Sequence, residues 1–196
     1  MNNQNQLEFQ TMNYLNRYDE ILRIMSNQML HLPITNNISL DFINSMIPHQ
    51  QAAIYMCENL LEYTTNMYLR DLALRIIKIS RKNIDEMLNI RRTIKPQINR
   101  PEDVNRYVSK YLSITNNMIN KMRNSHRTPN IGINFIGAMI PHHEGAVLLC
   151  QNVLQYQIDP RLRILALAMI EELNGEIQQL NSIKNTILNK NISRYY

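Results

Sequence analysis

The chain repeats itself at a constant offset of 93 residues, and this duplication constrains its fold more than any other feature. Shifting Tyr14–Ile90 onto Tyr107–Ile183 gives 28 identities in 77 positions without a gap. Tyr14, Tyr18, Ile21, Met25 and Met29 fall on Tyr107, Tyr111, Ile114, Met118 and Met122. The block D-F-I-N-S-M-I-P-H-Q at 41–50 falls on N-F-I-G-A-M-I-P-H-H at 134–143, and Cys57 falls on Cys150. Whatever one copy folds into, the other folds into as well.

Each copy reads as three helices. In the first, apolar residues at Leu15, Tyr18, Ile21, Leu22, Met25 and Met29 keep three-four spacing over about 7–30. His31-Leu32-Pro33 breaks the pattern. Asp41, placed as an N-cap before Phe42, opens a second helix that ends near Tyr63. A third spans about 67–94 on the stripe Leu69, Leu72, Ala73, Ile76, Ile77, Ile84 and Met87. Prolines at 96 and 101 stop helices on both sides of a linker over 95–101. The second copy follows over about 102–124, 134–157 and 160–190, with Asn134 as cap and Pro160 at a helix start.

With only four Gly in 196 residues, a sandwich, a barrel and a phosphate-cradling loop are all poor fits. Hydrophobic residues make up 44% of the chain, enough for a core. A two-helix hairpin cannot bury its apolar stripe alone, so the two equivalent hairpins are expected to close about a pseudo-twofold axis. The expected architecture is an all-α single domain over 1–196. It is a four-helix bundle of two tandem repeats, about 7–94 and about 102–190, with one extra helix per repeat packed across it.

A net charge of +5, with basic residues scattered along helices, reads as a solvated face and gives no nucleic-acid site. The N-terminus M-N-N-Q-N-Q-L-E-F-Q lacks a basic region followed by an apolar one, and no run of 18 apolar residues occurs. Cytoplasmic residence with no membrane partner is the expectation. Cys57 and Cys150 are then expected as reduced thiols. The sequence is compatible with a homo-oligomer and does not fix its state.

The residues that bear chemistry gather around M-x-x-H, present as Met46/His49 and Met139/His142. At about 100° per residue, Met46, His49, Met56 and Cys57 share one arc of roughly 100°, the width of a core-facing stripe. In the second copy the arc holds Met139, His142 and Cys150, with His143 added and Leu149 standing in place of the methionine. Thioether, imidazole and thiol donors on one stripe suit monovalent copper or silver best and zinc less well; magnesium and calcium want oxygen. Pro48 and Pro141 precede the histidines inside the helix and are expected to free the carbonyls of Asn44 and Gly137. Gly145 and Ala52 thin the following turn, leaving room for an ion or a close helix. Helically spaced methionines also serve as core filler, the natural reading of Met25, Met29, Met118 and Met122. Buried small hydrophobes are a standing alternative for the two cysteines, as satisfied core residues are for the histidines. His31 and His126 lie in loops and do not correspond under the shift.

The string M-I-P-H-H-E-G-A-V, with Phe135 four residues ahead of Met139, resembles the bacterial domain-of-unknown-function family 305 over nearly the whole chain. The resemblance implies a ferritin-like four-helix bundle, commonly duplicated, and for some members binding and tolerance of copper or silver through Met and His side chains. On that pattern Met46, His49, Met56 and Met87 match in the first copy. Met139, His142, His143 and the pair Glu176-Ile177 match in the second. Gln50 stands where the second histidine belongs, Asn83 replaces the first copy's glutamate, and Leu149 and Leu180 replace two methionines.

The resulting expectation is a soft-metal protein binding copper, as Cu(I), or silver through Met46, His49, Met56, Cys57, Met139, His142, His143 and Cys150. The alternative is a structural or partner-binding bundle without a metal. An enzyme ranks third. Di-iron chemistry wants Glu-x-x-His pairs, and methionine occupies the glutamate position before both His49 and His142. Haem lacks a C-x-x-C-H attachment motif, and the cysteines lack an evident base or oxyanion site.

Overall fold

The computed structural model describes residues 3–95 and 98–192, so Pro96 of the expected linker lies outside the described residues. Among the described residues are six α-helices and no strand: α1 (Asn3–Leu30), α2 (Ile38–Leu61), α3 (Met67–Thr93), α4 (Pro101–Arg123), α5 (Ile131–Val153) and α6 (Pro160–Ile192). The starts of α5 and α6 follow those of α2 and α3 by the same 93-residue offset that the sequence shows. Helix α2 packs on α3 and α5 on α6, while α2·α5 and α3·α6 contacts close these pairs into a four-helix bundle. The extra helices α1 and α4 lie against α2 and α5 and touch each other. No described helix is long and apolar enough to cross a membrane.

The helices begin where asparagine side chains can cap them. Asn37, Asn66 and Asn130 accept hydrogen bonds from the backbone N–H of Leu40, Leu69 and Ile133. Helix α4 uses Pro101 in its first turn with Glu102 and Asp103, which suit the positive end of the helix. Asp41 and Asn134, expected as caps, sit inside the first turn of α2 and α5. Their Oδ1 atoms accept from the backbone N–H and hydroxyl of Thr35 and of Thr128. They hold the entering loop, and the helix starts about one turn earlier than the sequence reading put it.

Reciprocal hydrogen bonds lock the two copies together. Tyr18 donates from its hydroxyl to the Met122 carbonyl at 2.9 Å, and Tyr111 to the Met29 carbonyl at 2.7 Å. Tyr111 gives the last-turn Met29 carbonyl the partner its own helix does not supply, while the Met122 carbonyl accepts from the Ser125 N–H as well. Within each copy, Asn59 and Asn152 donate to the carbonyls of Tyr14 and Tyr107 and fix the extra helix on the bundle. Between the copies, buried Asn99 accepts from the Ile38 N–H and donates to the Gln157 carbonyl, tying the start of α2 to the loop before α6. The room made by Gly145 is taken by a close helix: a Cβ there would run into Met118 of α4.

Candidate metal centre

The bundle's middle is polar because α2 and α5 bring their histidines face to face. Both helices run on through Pro48 and Pro141. One residue later, the His49 and His142 rings stack with centroids 3.7 Å apart and planes at 25°. Each ring reaches across to the other's backbone. His49 Nε2 lies 3.3 Å from the His142 carbonyl, and His142 Nε2 lies 3.2 Å from the His49 carbonyl. A carbonyl oxygen only accepts, so both Nε2 atoms carry the proton and both Nδ1 atoms carry a lone pair. Both rings stay neutral. Burial, joined by the neighbouring His143, pushes His49 down to about 3. Burial and the neighbouring His49 and His143 hold His142 well below the usual imidazole range.

His143, equally buried, completes the cluster. Its Nδ1 lies 3.5 Å from His142 Nδ1, and its Nε2 lies 3.0 Å from Glu176 Oε2 of α6. That contact has ion-pair length but is bent away from a hydrogen bond. His143 Nε2 and Glu176 Oε1 therefore count, with His49 Nδ1, among the buried atoms without a hydrogen-bond partner. A cavity of about 10 Å³, room for about one water, opens beside these atoms. The three histidines and Gln50 line it from α2 and α5, and Asn83, Glu172 and Glu176 from α3 and α6. Asn83 donates to Glu172 at 3.3 Å.

Of the donors read from sequence, this cavity brings together His49, His142 and His143. Met46, Met56, Met139, Cys57 and Cys150 do not line it; they are buried in the hydrophobic core. The two cysteines are free. Burial pushes the Cys150 thiol up to about 12, and burial with the charges of Glu176 and Glu58 raises Cys57 well above its ordinary value. Neither offers the thiolate that is the strong metal ligand. Among the described residues no three His, Cys, Asp or Glu side chains are gathered so as to hold an ion by themselves. Glu176 and Glu172 were not among the expected donors. Glu176 was visible as the counterpart of Asn83 under the 93-residue shift and in the Glu176-Ile177 pair of the resembled pattern, with no donor role attached to it.

The model of the family described as Domain of unknown function (DUF305) matches residues 39–184. The chain belongs to the DUF305 family. No curated protein matches it. Solved structures share its fold. The DUF305 fragment from Deinococcus radiodurans is 21% identical with a TM-score of 0.55, covering 79% of this chain and 99% of that one. CopM in an Ag-bound form, obtained by soaking, is 24% identical with a TM-score of 0.56, covering 78% of this chain and 98% of that one. CopM in a Cu(II)-bound form is also 24% identical with a TM-score of 0.56, covering 76% and 96%.

Proposed function

We propose that this DUF305 protein binds copper or silver in the middle of its bundle and buffers the ion without turnover. The imidazoles of His49, His142 and His143 are the principal donors. The sulfur groups of Met46, Met56, Met139, Cys57 and Cys150 form the soft, polarizable surroundings along the same helices. One observation carries the reading: buried His49 Nδ1, with an unshared lone pair, and the unpartnered His143 Nε2 and Glu176 Oε1 border an ion-sized cavity lined by three histidines and two glutamates. Neutral imidazole suits copper, and the lowered basicity of His49 and His142 keeps protons from competing for it. The silver- and copper-bound forms of CopM support the same chemistry for a shared fold.

A structural bundle without metal is the second reading. It is favoured by the reciprocal histidine–carbonyl bonds, which satisfy both Nε2 atoms with no ion present. An anaerobic titration of Cu(I) against a competing chelator separates the two, using the wild type and the His49→Ala/His142→Ala double variant with helicity checked by circular dichroism. Stoichiometric binding that a folded double variant loses supports metal binding. Weak binding that is the same in both proteins leaves the structural bundle.

A further inference from the structure

Helices α1 and α4 lie against α2 and α5 and touch each other, which closes one flank of the bundle. The opposite flank is the seam between α3 and α6. Ile79, Ser80 and Asn83 of α3 and Glu172 and Glu176 of α6 carry the lining of the polar cavity into that seam. Ile79 and Glu172 are half-buried, so the lining reaches the surface there. Two polar clasps span the seam. Asn83 donates to Glu172 at 3.3 Å, and about two turns away Arg75 donates to Gln179. These pairs set the helices antiparallel, so Ser80 and Gly175 fall opposite each other between the clasps.

A Cβ on Gly175 would meet no atom of another helix within 4 Å, whereas at Gly132 and Gly145 it would run into Leu69 and Met118. Those two glycines make room for a neighbour; Gly175 leaves a gap. Its φ is not positive, and glycine inside a helix is less favourable than alanine, so backbone geometry does not call for it. The gap is confined to one side of the pseudo-twofold axis. Under the 93-residue shift the positions equivalent to Ser80 and Gly175 hold Leu173 and Lys82, which are bulky. We infer that the gap between Ser80 and Gly175 is the port through which the ion enters and leaves the cavity, with the Glu172 carboxylate at its mouth. The inference rests on the metal-binding reading and adds the route. Bulk in a port raises the barrier in both directions and leaves the free and bound states as they were. Both rates then fall together and the affinity does not change.

The test follows anaerobic release of Cu(I) from the full chain to a coloured chelator, in enough excess that the rate no longer depends on its concentration. Equilibrium competition with the same chelator gives Kd. Gly175→Leu is expected to slow release roughly 10-fold with Kd unchanged. Gly175→Gln brings similar bulk without an apolar surface and is expected to do the same. Gly175→Ala gains the helix-forming advantage without the bulk. It is expected to raise the metal-free Tm and to release Cu(I) at the wild-type rate. Release at the wild-type rate from the Leu and Gln variants overturns the port and leaves metal binding standing. Equal slowing in the Ala variant also overturns it, because a stiffer helix then accounts for the effect. A wild type that takes up no Cu(I) overturns both readings.

Discussion

Asp41→Asn is expected to stabilise the protein, because the second copy already contains the repaired arrangement. In both copies the Oδ1 atom accepts two bonds from a threonine. Asn134 adds a third, donating from Nδ2 to the Thr128 carbonyl at 2.8 Å. Asp41 has an oxygen at that position, Oδ2, which is buried and without a partner. Burial raises its pKa, with the two Thr35 hydrogen bonds pulling in the opposite direction. Removing an unpartnered buried acceptor is worth about 1–3 kcal/mol, and a new hydrogen bond adds about 1 kcal/mol. Against these stand the loss of charge assistance in the Thr35 bonds and of a first-turn carboxylate, together about 1–2 kcal/mol. The cavity beside Asp41, about 10 Å³, holds at most one solvating water, which trims the gain further.

The balance is a stabilisation of about 1 kcal/mol at neutral pH, or roughly 2–4 °C in Tm for a chain of this size. The sign with pH follows from the raised pKa. The native state holds the Asp41 proton more tightly than the unfolded chain does, so the penalty is absent below the unfolded carboxyl pKa. It grows as pH rises towards the folded value and is complete above it. Urea denaturation of wild type and variant at pH 4 and pH 7 measures this. A variant less stable than wild type at pH 7, or one whose advantage is larger at pH 4, would refute the account.

The other expectations concern the pseudo-symmetric frame and the core. Tyr111→Phe is expected to cost about 1–2 kcal/mol in urea melts because it leaves the Met29 carbonyl unpaired, and Tyr18→Phe less, because the Met122 carbonyl keeps its bond from the Ser125 N–H. Gly145→Ala is expected to cost about 1–3 kcal/mol, since the added methyl meets Met118 at its Cβ and Cγ as well as its sulfur; adding Met118→Ala should recover part of the loss. Cys57 and Cys150, buried as thiols, should resist a disulfide reagent at pH 8 and react only at the rate of unfolding. Rapid labelling of either one in the folded protein would contradict the burial described.

Most of the helical plan could be read from the chain because the duplication states each helix twice and few prolines or glycines interrupt the stripes. The starts of α2 and α5 were misread for a local reason. An Asx side chain that caps a helix and one that braces the preceding loop look alike in sequence. Asn37 and Asn130 stand four residues ahead of Asp41 and Asn134, and only the coordinates show which of each pair receives the helix N–H. The donors divide by height along the axis. At about 1.5 Å per residue, the 11 positions from Met46 to Cys57 span roughly 16 Å, so one face of a helix runs through several layers of the bundle. His49, His142 and His143 occupy the layer of the polar cavity, and the sulfur residues lie outside its lining. Periodicity reports the face and is silent about the layer. Glu176 escapes it altogether, because it comes from a different helix of the bundle.

The reciprocal tyrosine and histidine contacts make the boundary between the two copies isologous: the same patch meets itself across a twofold axis, as in a symmetric dimer. In an assembly of identical subunits every substitution at such a boundary is made twice, and a side chain on the axis must be tolerated by its own image. Joining the halves in one chain removes that restriction. Gln50 can differ from His143 and Asn83 from Glu176 while Tyr18, Tyr111, His49 and His142 keep the halves in register. One half is thereby free to diverge chemically, and the other keeps the shape that holds it in place.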